Sequence, residues 1–263
     1  MRILIPTDFS LPSKKAVKYA TYLASKLQAD IYIFHAFPLH SVWLEKEELK
    51  SADIAEKKLK QVADGVRKEL PSELHIEAFM VHRFPLNDVV NDIVKELKID
   101  LIVMGTKGTS MRTDRMLGSF ASGMIRHGSV PVIAVPDENK KKDVKNIVLP
   151  TDLNNMAAEI TEVVKYAKKF DAAVHVLYVP TAKGNGQLPL SLSKLTSYRN
   201  IHFHEVKGKS PEATIGKFVN DNNADMIAMF TKKRNALSRL FNPSLTEKLS
   251  FTIEVPLFAF HKG

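Results

Sequence analysis

Short apolar runs alternate along the chain with longer segments in which apolar residues recur every three or four positions. This alternation predicts β-strands that alternate with amphipathic helices. In the first half, the pattern predicts strands near 2–6, 31–36, 74–81, 101–105 and 131–135, and helices near 12–27, 43–69, 86–98 and 118–127. The fourth segment, LIVMG, is apolar throughout, as is typical of a parallel strand buried on both faces. The pattern therefore predicts right-handed βαβ units around a parallel sheet.

The second half of the chain repeats the first. The segment Ile3-Leu-Ile-Pro-Thr-Asp8 recurs as Ile147-Val-Leu-Pro-Thr-Asp152, at an offset of 144 residues. The segment Val130-Pro-Val-Ile-Ala134 recurs as Val255-Pro-Leu-Phe-Ala259, at an offset of 125 residues. The second copy is therefore nineteen residues shorter, and the loss falls where the first copy has its long second helix.

A polar run at 137–143 contains no apolar residue and is typical of an exposed linker. We therefore predict two domains, 1–138 and 144–263, each of ordinary domain size. Each domain is predicted to be an α/β unit with a five-stranded parallel sheet and helices on both faces.

Three glycines surround the end of the fourth predicted strand and the start of the helix that follows it. Gly105 ends the strand, Gly108 lies in the loop, and Gly118 and Ser119 precede the helix. Glycine allows close backbone approach, and the first amides of a helix suit an anion. The pattern predicts a phosphate site in which Ser119 caps the helix or donates its hydroxyl, with Ser122 as a weaker candidate.

The spacing Gly-x2-Gly-x9-Gly-Ser differs from that of the P-loop and of the compact dinucleotide fingerprint. Together with the strand that ends in Asp8 and the closing segment 129–136, it resembles the ATP-binding type of the universal stress protein family. The resemblance implies two tandem Rossmann-like domains of the adenine nucleotide alpha hydrolase-like fold. It also implies ATP with Mg²⁺ as the ligand of the first domain, and backbone groups of Thr7 and Ala36 beside the adenine.

Asp8 ends the first strand, which lies beside the fourth strand in a doubly wound order, at the crevice where such sheets bind ligands. Its carboxylate is predicted to contact the ribose or base side of a nucleotide, or a cation held by the phosphates. The alternative is that Asp8 caps the first helix together with Ser10. In the loop between the glycines, either Arg112 or Arg115 could pair with a phosphate, and both stay outside the predicted set.

The second half has lost the three glycines, because the offset of 125 places Phe230, Lys233 and Pro243 at their positions. The phenylalanine is predicted to fill the space of a ribose, and proline cannot donate an amide. Asp152 and Ser244 are retained but are insufficient for a site. We therefore predict a degenerate second domain that lacks the nucleotide site.

Composition restricts the setting of the protein. The 263 residues include no cysteine, no eighteen-residue apolar stretch and no secretion signal at the N-terminus, so we predict a soluble cytoplasmic protein. The net charge of +9 divides into +1 for residues 1–138 and +8 for residues 139–263. This basic excess favours the binding of polyanions, or it reflects a solvated lysine-rich surface.

His202 and His204 share one face of a predicted strand and could bind a metal, but no zinc motif accompanies them.

The sequence therefore predicts an ATP-binding regulatory module without catalytic residues or a resident metal. The alternatives are a slow ATPase or adenylate-transfer enzyme of the same fold, and a polyanion binder that uses the basic second domain. Nucleic acid is the less favoured partner because no aromatic residues are interleaved with the basic ones. The closing strands are predicted to pair within one chain as a pseudo-dimer, which leaves a homodimer through another surface open.

Overall fold

The structure is a computed structural model of the 263-residue chain. It describes residues 1–37, 46–82, 84–106, 118–139, 143–180, 196–208, 210–231 and 254–261. The chain divides into two compact units, Met1–Asp137 and Glu138–Gly263.

Unit one alternates strands and helices as the apolar pattern predicts. Its strands are β1 (Arg2–Pro6), β2 (Asp30–Ala36), β3 (Ile76–Val81), β4 (Leu101–Gly105) and β5 (Val132–Val135). Its helices are α1 (Leu11–Leu27), α2 (Lys46–Glu69), α3 (Leu86–Glu96) and α4 (Ser119–His127).

All strand pairs described in unit one are parallel, in the order β3-β2-β1-β4-β5. The chain starts in the middle of the sheet at β1, builds outward to β3, and then crosses back to β4 on the other side of β1. Ile3 is opposite Ile31 on one side and Leu101 on the other. In such an order, the crevice outside the carboxyl ends of β1 and β4 is the place where α/β sheets bind ligands.

The core of unit one lies on both faces of this sheet. All five residues of β4 are buried, and so are the three central residues of β1. Helix α1 faces the sheet with Ala16, Ala20 and Ala24, whose small side chains let the helix backbone approach the strands closely. This packing places the first turn of α1 directly beside the end of β4.

The helix ends follow from local chemistry. Ser10 is the N-cap of α1, and its side chain accepts a hydrogen bond from the Ser13 N–H. Gln28 stops the helix in the left-handed conformation, with φ at 53°. Helix α3 was predicted to reach residue 98 but ends at Glu96, because Lys98 is also left-handed, with φ at 49°.

Unit two repeats the arrangement. Its strands are β6 (Asn146–Thr151), β7 (Ala173–Tyr178), β8 (Ile201–Glu205), β9 (Met226–Thr231) and β10 (Leu257–His261), and its helices are α5 (Met156–Phe170) and α6 (Pro211–Asp221). The strand order β8-β7-β6-β9-β10 is again parallel throughout the described pairs. Ile147 is opposite Met226, as Ile3 is opposite Leu101, so the sequence repeat is also a repeat of register. The predicted fold class is confirmed.

Within the described parts of the chain, no helix is both long enough and apolar enough to cross a membrane.

Candidate functional site

A pocket of about 300 Å³ opens in unit one where β1 and β4 end. It lies at the crevice that the strand order defines, and a cavity of this size is at the lower end of the usual range for ligand sites. Its walls come from the ends of β1, β2 and β4 and from the starts of α3 and α4. The residues that line it are Pro6, Thr7, Asp8, Ser13, Phe34, His35, Ala36, Leu86, Met104, Gly105, Thr106, Gly118, Ser119, Phe120 and Ala121.

The turn after β1 is held by its own side chains. The Phe9 N–H donates to Thr7 Oγ1 at 3.2 Å, and the Ser10 N–H donates to Asp8 Oδ1 at 3.0 Å. These bonds hold Phe9 in the left-handed region, with φ at 62°, which costs a non-glycine residue energy. The turn therefore fixes the Asp8 carboxylate at the wall of the pocket.

Asp8 and Ser10 have separate tasks in this turn. Ser10 is the N-cap of α1, since its side chain accepts from the Ser13 N–H, and Asp8 accepts from the N–H of Ser10. Asp8 orients the capping residue and lines the pocket as well.

His35 lies at the end of β2 and forms the opposite wall. Its Nδ1 is 2.8 Å from the Thr7 carbonyl oxygen. Because a carbonyl oxygen only accepts, Nδ1 carries the proton in this contact. The Phe9 ring lies 4.3 Å from the His35 ring, centroid to centroid, and keeps the imidazole in place.

The start of α4 supplies hydrogen-bond donors to the pocket. The Gly118 N–H donates to the Thr106 carbonyl at 2.9 Å, so the two residues that flank the segment 107–117 are joined directly. The following N–H groups, those of Ser119, Phe120 and Ala121, lie in the first helical turn, where amides have no partner inside the helix. With the positive end of the helix dipole, they can bind an anion.

The structure corrects the predicted role of Ser119 at this helix start. Gly118 has φ at −59° and ψ at 147°, a conformation open to any residue, so its backbone does not require glycine. Gly118 is also the N-cap of α4, which makes Ser119 the first helical residue and not the capping one.

Gly105 is explained by packing as well as by the site. A Cβ placed on Gly105 would lie 3.1 Å from the carbonyl carbon and oxygen of Pro12, in the first turn of α1. These are backbone atoms and cannot move aside cheaply. The missing side chain therefore lets α1 start close to the end of β4.

The predicted site residues fall into three groups. Six of them line the pocket together: Thr7, Asp8, Ala36, Gly105, Gly118 and Ser119. Ser122 lies one helical turn further along α4 and is not among the lining residues. Gly108 lies outside the described residues, as do Arg112 and Arg115.

Sequence reasoning missed several lining residues. Ser13 reaches the pocket because its Oγ is 3.2 Å from Thr7 Oγ1, and Thr106 because it directly follows β4. The position of Thr106 after a buried strand was a usable signal. Ser13 gave none, because its contact with Thr7 depends on the angle at which α1 begins.

Unit two repeats the turn hydrogen bonds after β6, but a different side chain contacts its threonine. The Leu153 N–H donates to Thr151 Oγ1, the Asn154 N–H donates to Asp152 Oδ1, both at 3.1 Å, and Leu153 has φ at 68°. Thr151 Oγ1 donates to Glu159 Oε2 at 3.0 Å, and Glu159 is 1% exposed. A buried carboxylate thus takes the place that the Ser13 hydroxyl has in unit one.

Phe230 occupies the position of Gly105 and belongs to the core of unit two. Its ring stacks on Phe260 with 4.7 Å between the centroids. In unit one the backbone of Pro12 is next to the equivalent position, so the phenylalanine changes the packing under the helix start. Lys233, Pro243 and Ser244 lie outside the described residues.

Three histidines lie together on the sheet of unit two. His175 Nδ1 is 3.1 Å from His204 Nε2, and the ring centroids of His175 and His202 are 5.2 Å apart. His175, on the neighbouring strand, was not singled out from the sequence. Among the described residues, no group of three His, Cys, Asp or Glu side chains is arranged to hold a metal. Burial first, and then the charge of the neighbouring imidazoles, lowers the pKa of His175 and of His204.

These lowered pKa values predict acid sensitivity. In the unfolded chain the two imidazoles take up protons near the usual pKa of 6.5, whereas in the folded chain they do so only at lower pH. Stability should therefore fall as the pH drops below about 6.5 and level off below the folded pKa values. We expect His175→Gln to reduce the loss of urea-unfolding midpoint between pH 7.5 and 5.0. His127→Gln, at an exposed imidazole of α4, is the control, and an equal effect of both variants would contradict the prediction.

The strand order and the pocket at its switch point define a doubly wound α/β protein with a pocket at the carboxyl edge of its sheet. The sequence model of the universal stress protein family matches residues 1–136, which is more than half of the chain. The chain therefore belongs to the universal stress protein family, and the resemblance noted from the glycine spacing is confirmed at the level of the family.

Individual relatives match about half of the chain. The chain is 32% identical over 150 residues to universal stress protein MJ0531 of Methanocaldococcus jannaschii, which covers 53% of this chain and 84% of that protein. It is 33% identical over 141 residues to universal stress protein G of Shigella flexneri, covering 51% of this chain and 96% of the relative. The chain is also similar to the crystal structure of a universal stress protein from Archaeoglobus fulgidus, with a TM-score of 0.77 at 20% sequence identity. The match covers 100% of this chain and 98% of that protein's chain. This last likeness shows the fold.

Proposed function

We propose that unit one binds one adenine nucleotide, ATP with Mg²⁺. We propose that the protein acts as a regulatory module that responds to this nucleotide. The observation that carries the proposal is that the first turn of α4 and Asp8 line one pocket at the switch point of the sheet. Membership of the universal stress protein family supports it.

The proposed division of the ligand follows the chemistry of the walls. The N–H groups of Ser119 and Phe120 suit phosphate oxygens, because they lie in the first turn of α4. The ends of β1 and β2, at Thr7 and Ala36, offer backbone groups to the edge of a base. The Asp8 carboxylate suits a ribose hydroxyl or a cation that the phosphates hold.

The pocket residues can hold Mg²⁺ only if phosphate oxygens of the nucleotide supply most of its ligands. Asp8 is the one carboxylate among the described lining residues, and no cluster of three metal-binding side chains is found in the described ranges. Mg²⁺ usually keeps several waters and needs only one or two carboxylates in addition to phosphate oxygens. We therefore propose that the cation arrives with the nucleotide.

We further propose that the site binds its ligand and does not catalyse a reaction on it. The ionisable side chains among the described lining residues are Asp8 and His35. Asp8 accepts a hydrogen bond from the Ser10 N–H, and the His35 Nδ1 proton points to the Thr7 carbonyl. Both groups are held by the backbone of the turn, which suits positioning of a ligand better than proton transfer.

We predict that each chain binds one ATP. We propose that residues 144–263 form a degenerate domain without a nucleotide site. Phe230 replaces Gly105 there, and the buried Glu159 accepts a hydrogen bond from Thr151 at the end of β6. Isothermal titration calorimetry with MgATP should give a stoichiometry near one, and a value near two would show that the second unit also binds.

Matched variants make this test specific. Asp8→Ala and Asp152→Ala remove the same turn hydrogen bond, at 3.0 and 3.1 Å, from the two units. We expect Asp8→Ala to weaken MgATP binding by about tenfold, the value of one hydrogen bond to a charged group. Asp152→Ala should leave the affinity unchanged, and equal losses in both would contradict the assignment to unit one.

We also propose that the closing strands β5 and β10, which overlap the repeated segments 130–134 and 255–259, pair with each other within one chain as a pseudo-dimer. The proposal rests on their matching sequences, since an unpaired apolar edge strand invites association. We expect the isolated fragment 1–138 to form homodimers that Ile133→Asp disrupts. Analytical ultracentrifugation measures this, and a well-folded fragment that stays monomeric at high concentration would contradict it.

A further inference from the structure

A second cavity in unit one lies on the outer side of the sheet, between α1 and α2. Its volume is about 460 Å³, larger than that of the pocket at the switch point. Its walls carry the apolar side chains of Val17, Val62 and Val66. Val17 and Val66 are 8% and 3% exposed, so the floor of the groove is continuous with the core of the unit.

Three lysines line this groove. Lys14 and Lys18 come from α1 and Lys58 from α2, and all three are exposed. None of them has an ion pair with another described residue, although ion pairs occur elsewhere on the surface. Lys58 Nζ lies over the Phe9 ring, 5.9 Å from its centroid. The groove therefore presents cations that no described carboxylate neutralises.

The charges are distributed unevenly along the groove. Helices α1 and α2 follow two neighbouring parallel strands, so both run away from the carboxyl edge of the sheet. Phe9, Lys14 and Lys58 lie toward that edge. The single acidic lining residue, Glu69, is eleven positions after Lys58, about 16 Å along the helix. Anionic groups are therefore attracted at one end and repelled at the other.

A glycine opens the apolar end of the groove. Gly65 lies inside the 24-residue helix α2, where glycine costs about 1 kcal/mol relative to alanine. A Cβ at Gly65 would meet no atom within 4 Å, so packing does not explain it. The missing side chain instead widens the groove beside Val62 and Val66.

The end wall is held in place by contacts within the chain. Phe9 is held in the left-handed conformation by the bond from its N–H to Thr7 Oγ1, and its ring lies against His35. A site whose walls need no rearrangement spends less binding energy on ordering.

We propose that the groove between α1 and α2 binds a free fatty-acid anion, with the carboxylate at Lys14, Lys18 and Lys58 and the acyl chain running toward Gly65 and Val66. A group of lysines and the apolar side chains of Val17, Val62 and Val66 match a ligand with a single anionic head and an apolar tail. An acidic peptide would carry charges along its whole length and would meet Glu69.

The test is calorimetric titration of the full chain with sodium dodecanoate below its micellar concentration. One dodecanoate should bind per chain. Octanoate, four methylenes shorter, should bind roughly two-hundredfold more weakly, since each buried methylene contributes about fourfold. Dodecanol should bind more weakly than dodecanoate because it lacks the charge. The proposal would be overturned if dodecanoate did not bind or if dodecanol bound equally well. Binding of a glutamate-rich peptide in place of dodecanoate would also overturn it.

Two pairs of variants locate the site. Changing Lys14, Lys18 and Lys58 to Gln together should weaken dodecanoate binding by about tenfold, as expected for several exposed ion pairs. The same change at Lys57, Lys60 and Lys68, which are exposed on α2 but do not line the groove, should have little effect. Equal losses in the two triple variants would mean that only net charge matters and would overturn the assignment.

Gly65→Leu should block the apolar end and abolish binding, with circular dichroism showing an intact fold. Gly216→Leu is the matched control, because Gly216 lies in helix α6 of unit two and also has no atom within 4 Å of a Cβ. Unchanged dodecanoate binding by folded Gly65→Leu would overturn the proposal.

Discussion

Gly118→Val is expected to abolish nucleotide binding by unit one while the chain stays folded. Gly118 lines the pocket directly before the amides of Ser119 and Phe120, so two methyl groups there occupy the space proposed for phosphate. Loss of two hydrogen bonds to charged oxygens corresponds to roughly a hundredfold or more in affinity. The backbone tolerates the change, because φ of −59° and ψ of 147° are accessible to valine.

Calorimetry with MgATP measures the loss, and urea unfolding checks the fold. Gly118→Ala, with one added methyl group, should give an intermediate affinity. If Gly118→Val stays folded and binds MgATP normally, α4 does not hold the phosphates and the proposed function of unit one is wrong.

Gly105→Val is expected to have its effect on stability, with a loss of about 3 kcal/mol in the free energy of unfolding. The first added carbon already lies 3.1 Å from backbone atoms of Pro12, and Gly105 is buried at the end of β4. The start of α1 must move to accommodate a branched side chain. Because the turn from Thr7 to Ser10 leads into that helix, the pocket should be distorted as well.

Urea unfolding followed by circular dichroism measures this effect. Gly65→Val is the matched control, since Gly65 belongs to the same unit and a Cβ there meets no atom within 4 Å. It should leave the stability unchanged or slightly raised, because valine is a better helix former than glycine. A Gly105→Val protein as stable as the natural one would show that Pro12 is free to shift.

The strands and helices of unit one could be predicted from the sequence because burial imposes a period on it. The apolar run that became β4 is buried at all five positions, and the repeat in the sequence became a repeat in register. The pocket could be placed for the same reason. Once the order of strands is known, Asp8 and Gly105 must lie at one edge, since Gly105 ends β4 and Asp8 follows the last residue of β1 by two positions.

The reasons for individual residues were harder to predict. Gly105 and Gly118 resemble each other in sequence, yet one is required by the backbone of Pro12 and the other has an ordinary conformation. A glycine's task depends on what its missing side chain would touch. That neighbour belongs to a different element of the chain, so spacing alone does not reveal it.

The sequence by itself determined the α/β fold class and the edge of the sheet where the candidate site lies, because these follow from local periodicity and from the order of strand ends. The family was recognised from the resemblance in glycine spacing, and the match of the family model to residues 1–136 confirms it. Only the tertiary structure decided which groups meet across elements. It brought Ser13 to Thr7, His175 to His204 over 29 positions, and the lysines of α1 and α2 to one groove. Those contacts depend on how closely and at what angle helices and strands pack, and side-chain volumes from distant parts of the chain set both.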